Sequence, residues 1–92
     1  MFTRERVVPL GHQQITDVSS ATSLTVPTGA QWALIACTAQ NVRWRDDGTA
    51  PTASVGQQML TTDPAMWYGG KLSKLQFIQE TSTAILEVTY YG

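Results

Sequence analysis

From Val42 to Arg45 apolar and charged residues alternate strictly, and the run drives straight into Asp46-Asp47-Gly48. Strict alternation is the period of a half-buried strand, with Val42 and Trp44 on one face and Arg43 and Arg45 on the other. Asp-Gly after such a run is a strong short-range signal for a tight hairpin, because glycine accepts the positive φ that those turns require. The segment Val42–Gly56 (VRWRDDGTAPTASVG) is therefore read as β-structure that reverses sharply near Gly48, with Asp46, Asp47 and Gly48 as the turn.

The rest of the chain repeats this grammar. Val7-Val8 opens a strand pattern that Pro9 and Gly11 interrupt. Strands are predicted over residues 13–18, 21–26, 31–39, 53–60, 66–68, 72–79 and 83–91, separated by turn signals such as Pro27-Thr28-Gly29 and Gly69-Gly70. No stretch of ten or more residues keeps helical apolar spacing, and Asp63-Pro64-Ala65-Met66 is the one place read as a helical turn. Seven to nine short strands at this spacing predict an all-β fold, a small antiparallel β-sandwich or jelly-roll-like domain. Residues 1–10 fit the pattern least and are read as an N-terminal arm or extra strand.

Ninety-two residues make one domain with a small core. The single cysteine excludes an intrachain disulfide, so docking on a partner or on other copies is the expected source of added stability. Charged residues make up only 14% of the chain, and Thr, Ser, Gln and Asn supply the polarity instead, a mix suited to pleated surfaces and to interfaces where charge is costly to desolvate. A formal charge of −1, with no basic run beyond the Arg4/Arg6 and Arg43/Arg45 pairs, argues against nucleic acid as a partner. The apolar stretches are too short for a signal peptide or a membrane span, so the expectation is a soluble protein with no membrane partner, made in a cytoplasm.

Catalytic chemistry finds little support. One histidine, His12 in a Gly-His-Gln-Gln loop, and one cysteine, Cys37 in the most apolar strand, do not make a zinc site, and they count against a cupin-like metalloenzyme. Cys37 is read as a small core residue and His12 as a surface residue. The pair Asp46-Asp47 lacks the alternating ligands and closing glutamate of a calcium loop, Gly69-Gly70-Lys71 is not a phosphate loop, and no nucleophile stands beside a base. No cofactor, metal or catalytic residue is expected, and the chain is read as a non-enzyme.

Aromatic and arginine residues are the better lead, because Trp, Tyr and Arg dominate protein interfaces. Trp32 and Phe77 are expected in the core, Trp67 and Tyr68 near a surface, and Trp44 is left open between the two. Arg4, Arg6, Arg43, Trp44, Arg45, Trp67 and Tyr68 are the candidate interface. A rival from another class is a carbohydrate-binding module with Trp67 and Tyr68 as its stacking platform.

The segment VPTGAQWALIACTAQNVRWRDDGTAPTASVGQQML, followed by an aromatic-glycine stretch and a closing LEVTYYG, resembles small structural proteins of tailed bacteriophages. Their pattern is a VPxGA turn, an apolar strand and a V-R-aromatic-R-D-D-G-T-x-P-T-x-x-x-G segment, and the resemblance covers about residues 24–92. It is most specific over Val42–Gly56. The resemblance implies a capsid decoration (cement) protein with a β-sandwich or jelly-roll fold, located in the virion. It also implies a major capsid protein or another virion protein as partner, and a homo-oligomer, with a trimer favoured. A tail, neck or fibre module is the alternative position. No catalytic residue carries over.

Overall fold

Eight strands and a 3-10 turn make up the fold in the computed structural model, which describes residues 7–92. They are β1 (Pro9–Ile15), β2 (Thr22–Ser23), β3 (Trp32–Thr38), β4 (Val42–Arg45), β5 (Gln57–Met59), β6 (Met66–Tyr68), β7 (Gln76–Gln79) and β8 (Ile85–Tyr91), with the 3-10 turn at Leu72–Lys74 just before β7. They form two antiparallel four-stranded sheets, ordered β1-β8-β3-β6 and β2-β7-β4-β5. Only β4 and β5 are neighbours both in sequence and in a sheet; every other connection passes from one sheet to the other.

Alternation decides what each strand buries. On β3 the inward set is Ala33, Ile35 and Cys37, and on β8 it is Leu86, Val88 and Tyr90. Their register sets Ala33 against Tyr90, Ile35 against Val88 and Cys37 against Leu86, so the smallest residue of the set faces the largest. The second sheet answers with Val42 and Trp44 of β4, Met59 of β5 and Phe77 of β7. These side chains join one core cluster, closed at its margins by Val18, Leu24, Leu72 and Leu75. No buried polar or charged residue occurs among the described residues, as expected where desolvation would go uncompensated. The Cys37 thiol, read from the sequence as core, is buried and directs Sγ at the Met59 carbonyl oxygen, 3.4 Å away; burial pushes the thiol's pKa up.

Several sequence expectations need correction. Pro9 and Gly11 do not stop a strand. They lie within β1, where the register slips between Pro9 and Gly11 and leaves Leu10 as a bulge. An edge strand tolerates this, since proline's missing N–H faces no partner there. The expectation of an arm over residues 1–10 does not hold for residues 8–10. The Val8 amide donates to the Gly92 carbonyl at 2.8 Å and the Gly92 amide donates to that of Val8 at 2.9 Å, so residues 8–10 belong to the sheet. Residues 1–6, with Arg4 and Arg6, lie outside the described residues.

His12 sits on β1 rather than in a loop, though its side chain is surface-exposed as expected. The helical turn expected at Asp63–Met66 is absent. The Asp63 carboxylate accepts the Leu60 amide at 2.9 Å and closes a turn over residues 60–63, and Met66 already starts β6. The strand predicted over 72–79 divides into the 3-10 turn and β7. The tight hairpin at Gly48 also fails. Gly48 has φ +87, the positive value foreseen, but the chain pairs again only at Gln57 opposite Trp44, after the loop 46–56.

Candidate functional site

The two β4 arginines share the outer face of the second sheet, as their spacing requires, and each has its own acid. Arg43 Nε donates to Glu80 Oε2 at 2.6 Å and Nη1 donates to the Gly56 carbonyl at 3.1 Å. Gln58, opposite Arg43 on β5, adds its amide to both Glu80 oxygens. The Arg43 guanidinium holds the Glu80 carboxyl below its ordinary range, with the Gln58 amide helping. Arg45 turns instead to Asp47, donating Nε to Oδ1 at 3.0 Å and Nη2 to Oδ2 at 2.5 Å. That fork-to-carboxylate match lowers the Asp47 pKa. Asp47 Oδ1 also accepts the Thr49 amide at 3.3 Å, the Asx turn expected of a carboxylate two residues before an unpaired N–H.

Trp44 points the other way and packs against the core, which settles its place. Its ring meets Tyr68 edge-on, centroids 6.1 Å apart at 76°. The Tyr68 hydroxyl donates to Asp46 Oδ2 at 2.5 Å, so a β6 residue of one sheet tethers the loop that leaves β4 of the other. Burial, then the Asp46 carboxylate, pushes the Tyr68 phenol up to about 12. Farther along the loop, Thr52 and Val55 exchange backbone hydrogen bonds at 2.9 and 3.3 Å, Thr52 Oγ1 accepts the Val55 amide at 3.0 Å, and Pro51 is buried. The result is a loop ordered by its own contacts, bordering a solvent-open cleft of about 400 Å³ lined by Trp44, Arg45, Asp46, Asp47, Val55, Gly56 and Gln57. Val55 stands 52% exposed on its rim.

The seven interface candidates do not form one strip. Trp44 and Arg45 line the cleft with Asp46 and Asp47, Tyr68 adjoins it through its bond to Asp46, Gly48 is not among the lining residues, and Arg43 lies on the adjoining sheet face with Glu80. Trp67 is on the outer face of the first sheet, and Arg4 and Arg6 are not described. Adjacent residues on a strand face opposite ways, so Trp67 and Tyr68 do not make a joint stacking platform.

Trp67 stacks on Trp32, with centroids 5.9 Å apart at 17°, and meets Tyr91 at 5.1 Å. Trp32, expected in the core, is therefore half-buried on an outer face. The strand residues that enter the core are its neighbours Ala33 and Ile35, and the period of two leaves Trp32 outside. The same face holds a network that the sequence did not reveal. His12 Nδ1 lies 2.8 Å from Thr89 Oγ1, its Nε2 lies 2.7 Å from Glu87 Oε1, and Gln14 Nε2 donates to Glu87 Oε2. Alternation on β8 put Glu87 and Thr89 on one face; only the β1–β8 register brings His12 and Gln14 to them.

Among the described residues no three His, Cys, Asp or Glu side chains gather closely enough to hold a metal ion, and no helix is long and apolar enough to cross a membrane. The acidic groups do set a pH dependence. Glu80, Glu87, Asp47 and Asp17 all have carboxyl pKa values below the ordinary range. The folded state then binds fewer protons than the unfolded state through the acid range, so their contribution is present at neutral pH and is lost as pH falls through the depressed values. Melting temperature is expected to decline from about pH 7 to about pH 3, and to decline less in Arg43→Ala, which lacks the main cause of the Glu80 shift. Calorimetry across that range checks it; a flat profile contradicts it.

Comparison of the chain with protein-family models, curated proteins and solved structures returned no match.

Proposed function

We propose that this chain is a non-enzymatic structural protein of a tailed-bacteriophage virion, one that binds the capsid exterior and cements it. One observation carries the reading. The segment that bears the resemblance, Val42–Gly56, is an ordered surface feature: an inner strand followed by a loop held by Arg45–Asp47, Tyr68–Asp46 and Thr52–Val55 contacts. A loop already fixed in one shape loses little conformational entropy on docking. Its rim offers an apolar contact, Val55, between polar groups, the composition of a patch that binds without being insoluble when free.

The strand order supports the same reading. Two four-stranded sheets ordered β1-β8-β3-β6 and β2-β7-β4-β5, with nearly every connection crossing between them, are compatible with a jelly roll, the double Greek-key sandwich that occurs in viral capsid domains. Copies arranged as a trimer on a symmetric shell would add weak contacts into strong avidity.

The test is co-sedimentation of the purified protein with capsids of the phage that encodes it, alongside light scattering of the free protein. Wild-type protein is expected to pellet with capsids. Val55→Asp is expected to bind at least about tenfold more weakly while melting like the parent, since the loss of about 1.4 kcal/mol at an exposed contact leaves the core untouched. Removal of residues 1–6 is expected to weaken binding and preserve the fold. A strictly monomeric protein that never pellets with capsids would overturn the reading.

A further inference from the structure

We infer that the cleft beside the loop 46–56 is a binding site for an uncharged carbohydrate. Its volume of about 400 Å³ falls within the range of small-ligand pockets, roughly 300–1,000 Å³. The lining selects the ligand by its chemistry. Arg45 uses two donors on Asp47 and has others to spare; a guanidinium carries five. Asp46 takes the Tyr68 hydroxyl on Oδ2, which leaves Oδ1 as an acceptor. Gln57, exposed at the end of an edge strand, presents an amide donor and an amide acceptor together.

Two carboxylates and one guanidinium leave the cleft with a charge of about −1 at neutral pH, which repels phosphates, sulfates and acidic sugars. A cationic side chain would meet Arg45 as it approached the aspartates. What remains is a neutral molecule able to give and accept hydrogen bonds at several neighbouring points, and a run of hydroxyls, each one donor and two acceptors, does this. Trp44 and Val55 add apolar surface for the C–H face of a sugar ring. The groups are also held in advance: Asp46 by Tyr68, Asp47 by Arg45 and the Thr49 amide, and the Val55 backbone by Thr52. The site differs from a Trp67–Tyr68 platform and lies on different residues, and it does not depend on capsid binding.

The full chain, isotope-labelled for two-dimensional amide spectra, is titrated with the methyl glycosides of glucose, galactose and N-acetylglucosamine at millimolar concentration, and with glucuronate as the charged comparison. At least one neutral glycoside is expected to shift the amides of Arg45, Asp46, Asp47, Val55 and Gln57 and the Trp44 indole, with glucuronate clearly weaker. Gln57→Ala and Asp47→Asn, both at exposed positions, are each expected to weaken that binding about fivefold while the remaining spectrum stays in place. Three results would overturn the inference: no neutral glycoside shifting these groups, shifts gathered on Trp32 and Trp67 instead, or parental affinity in both variants.

Discussion

Phe77→Ala is expected to lower the melting temperature by roughly 15–35 °C. Phe77 is 0% exposed and sits on β7 directly opposite Trp44, at the centre of the layer where the two sheets meet. Truncating a buried phenylalanine costs about 3–5 kcal/mol, from lost transfer energy and the cavity left behind. A domain of this size has only about 5–14 kcal/mol in all, and each kcal/mol shifts its transition by about 4–8 °C. The variant should therefore be marginal at room temperature. Phe77→Leu keeps most of the volume and should cost less than about 1.5–2 kcal/mol, which separates a packing effect from outright failure to fold. Thermal denaturation followed by circular dichroism reads both. An unchanged melting temperature in Phe77→Ala would mean that the two sheets do not share the core described here.

The second large effect is at Gly56. Its φ of +141 lies in a region open essentially to glycine, and an added Cβ would stand 3.0 Å from the Trp44 carbonyl oxygen, 3.2 Å from Pro51 Cβ and 3.3 Å from Arg43 Cβ. Backbone strain and crowding act together, so Gly56→Ala is expected to cost roughly 3 kcal/mol. Gly48→Ala is the natural comparison. It has the positive φ of +87 but only an ordinary 3.8 Å contact, with Lys74 Nζ, so backbone strain alone applies and the cost is about 1–2 kcal/mol. Urea denaturation of both variants checks the order. Equal costs, or a greater cost at Gly48, would show that the close approach of β4 and the returning loop is not what requires glycine at position 56. Gly56→Ala is also expected to disturb the cleft, because the Trp44 carbonyl and Arg43 that it would crowd belong to the strand that sets the cleft wall.

Much of the fold was legible before any coordinates. The strand at Met66–Tyr68 and the strand at Val42–Arg45 match their sequence reading residue for residue, and β3 and β8 fall within the predicted spans 31–39 and 83–91. In each the residues alternate or run apolar between clear turn signals, so local information is enough. The failures have a common cause. Asp-Gly correctly marked a positive φ at Gly48, but a tight hairpin also needs the next residues to pair at once. The chain instead forms a loop built on Pro51 and the Thr52–Val55 bonds. Pro9 reads as a strand breaker only until it is known that β1 is an edge strand. The candidate site was legible in part: Trp44, Arg45, Asp46 and Asp47 of the cleft lining were singled out, but Val55, Gly56 and Gln57 were not, since nothing in a Gln-rich or Thr/Ser-rich stretch says that it borders a concave surface.

Period-two burial, turn chemistry and the lack of any helical period made short antiparallel strands the outcome for this chain on its own, because those forces act over a handful of neighbouring residues. Pairing was decided elsewhere. Arg43 meets Glu80 from 37 positions away, and His12 meets Thr89 from 77, only because particular strands align in one register. A slip of one residue would exchange the inner and outer faces, sending Trp32 inward and Ala33 out. The choice between those registers is made by the volume the whole core must fill, a quantity that belongs to the assembled sheets and to no single segment.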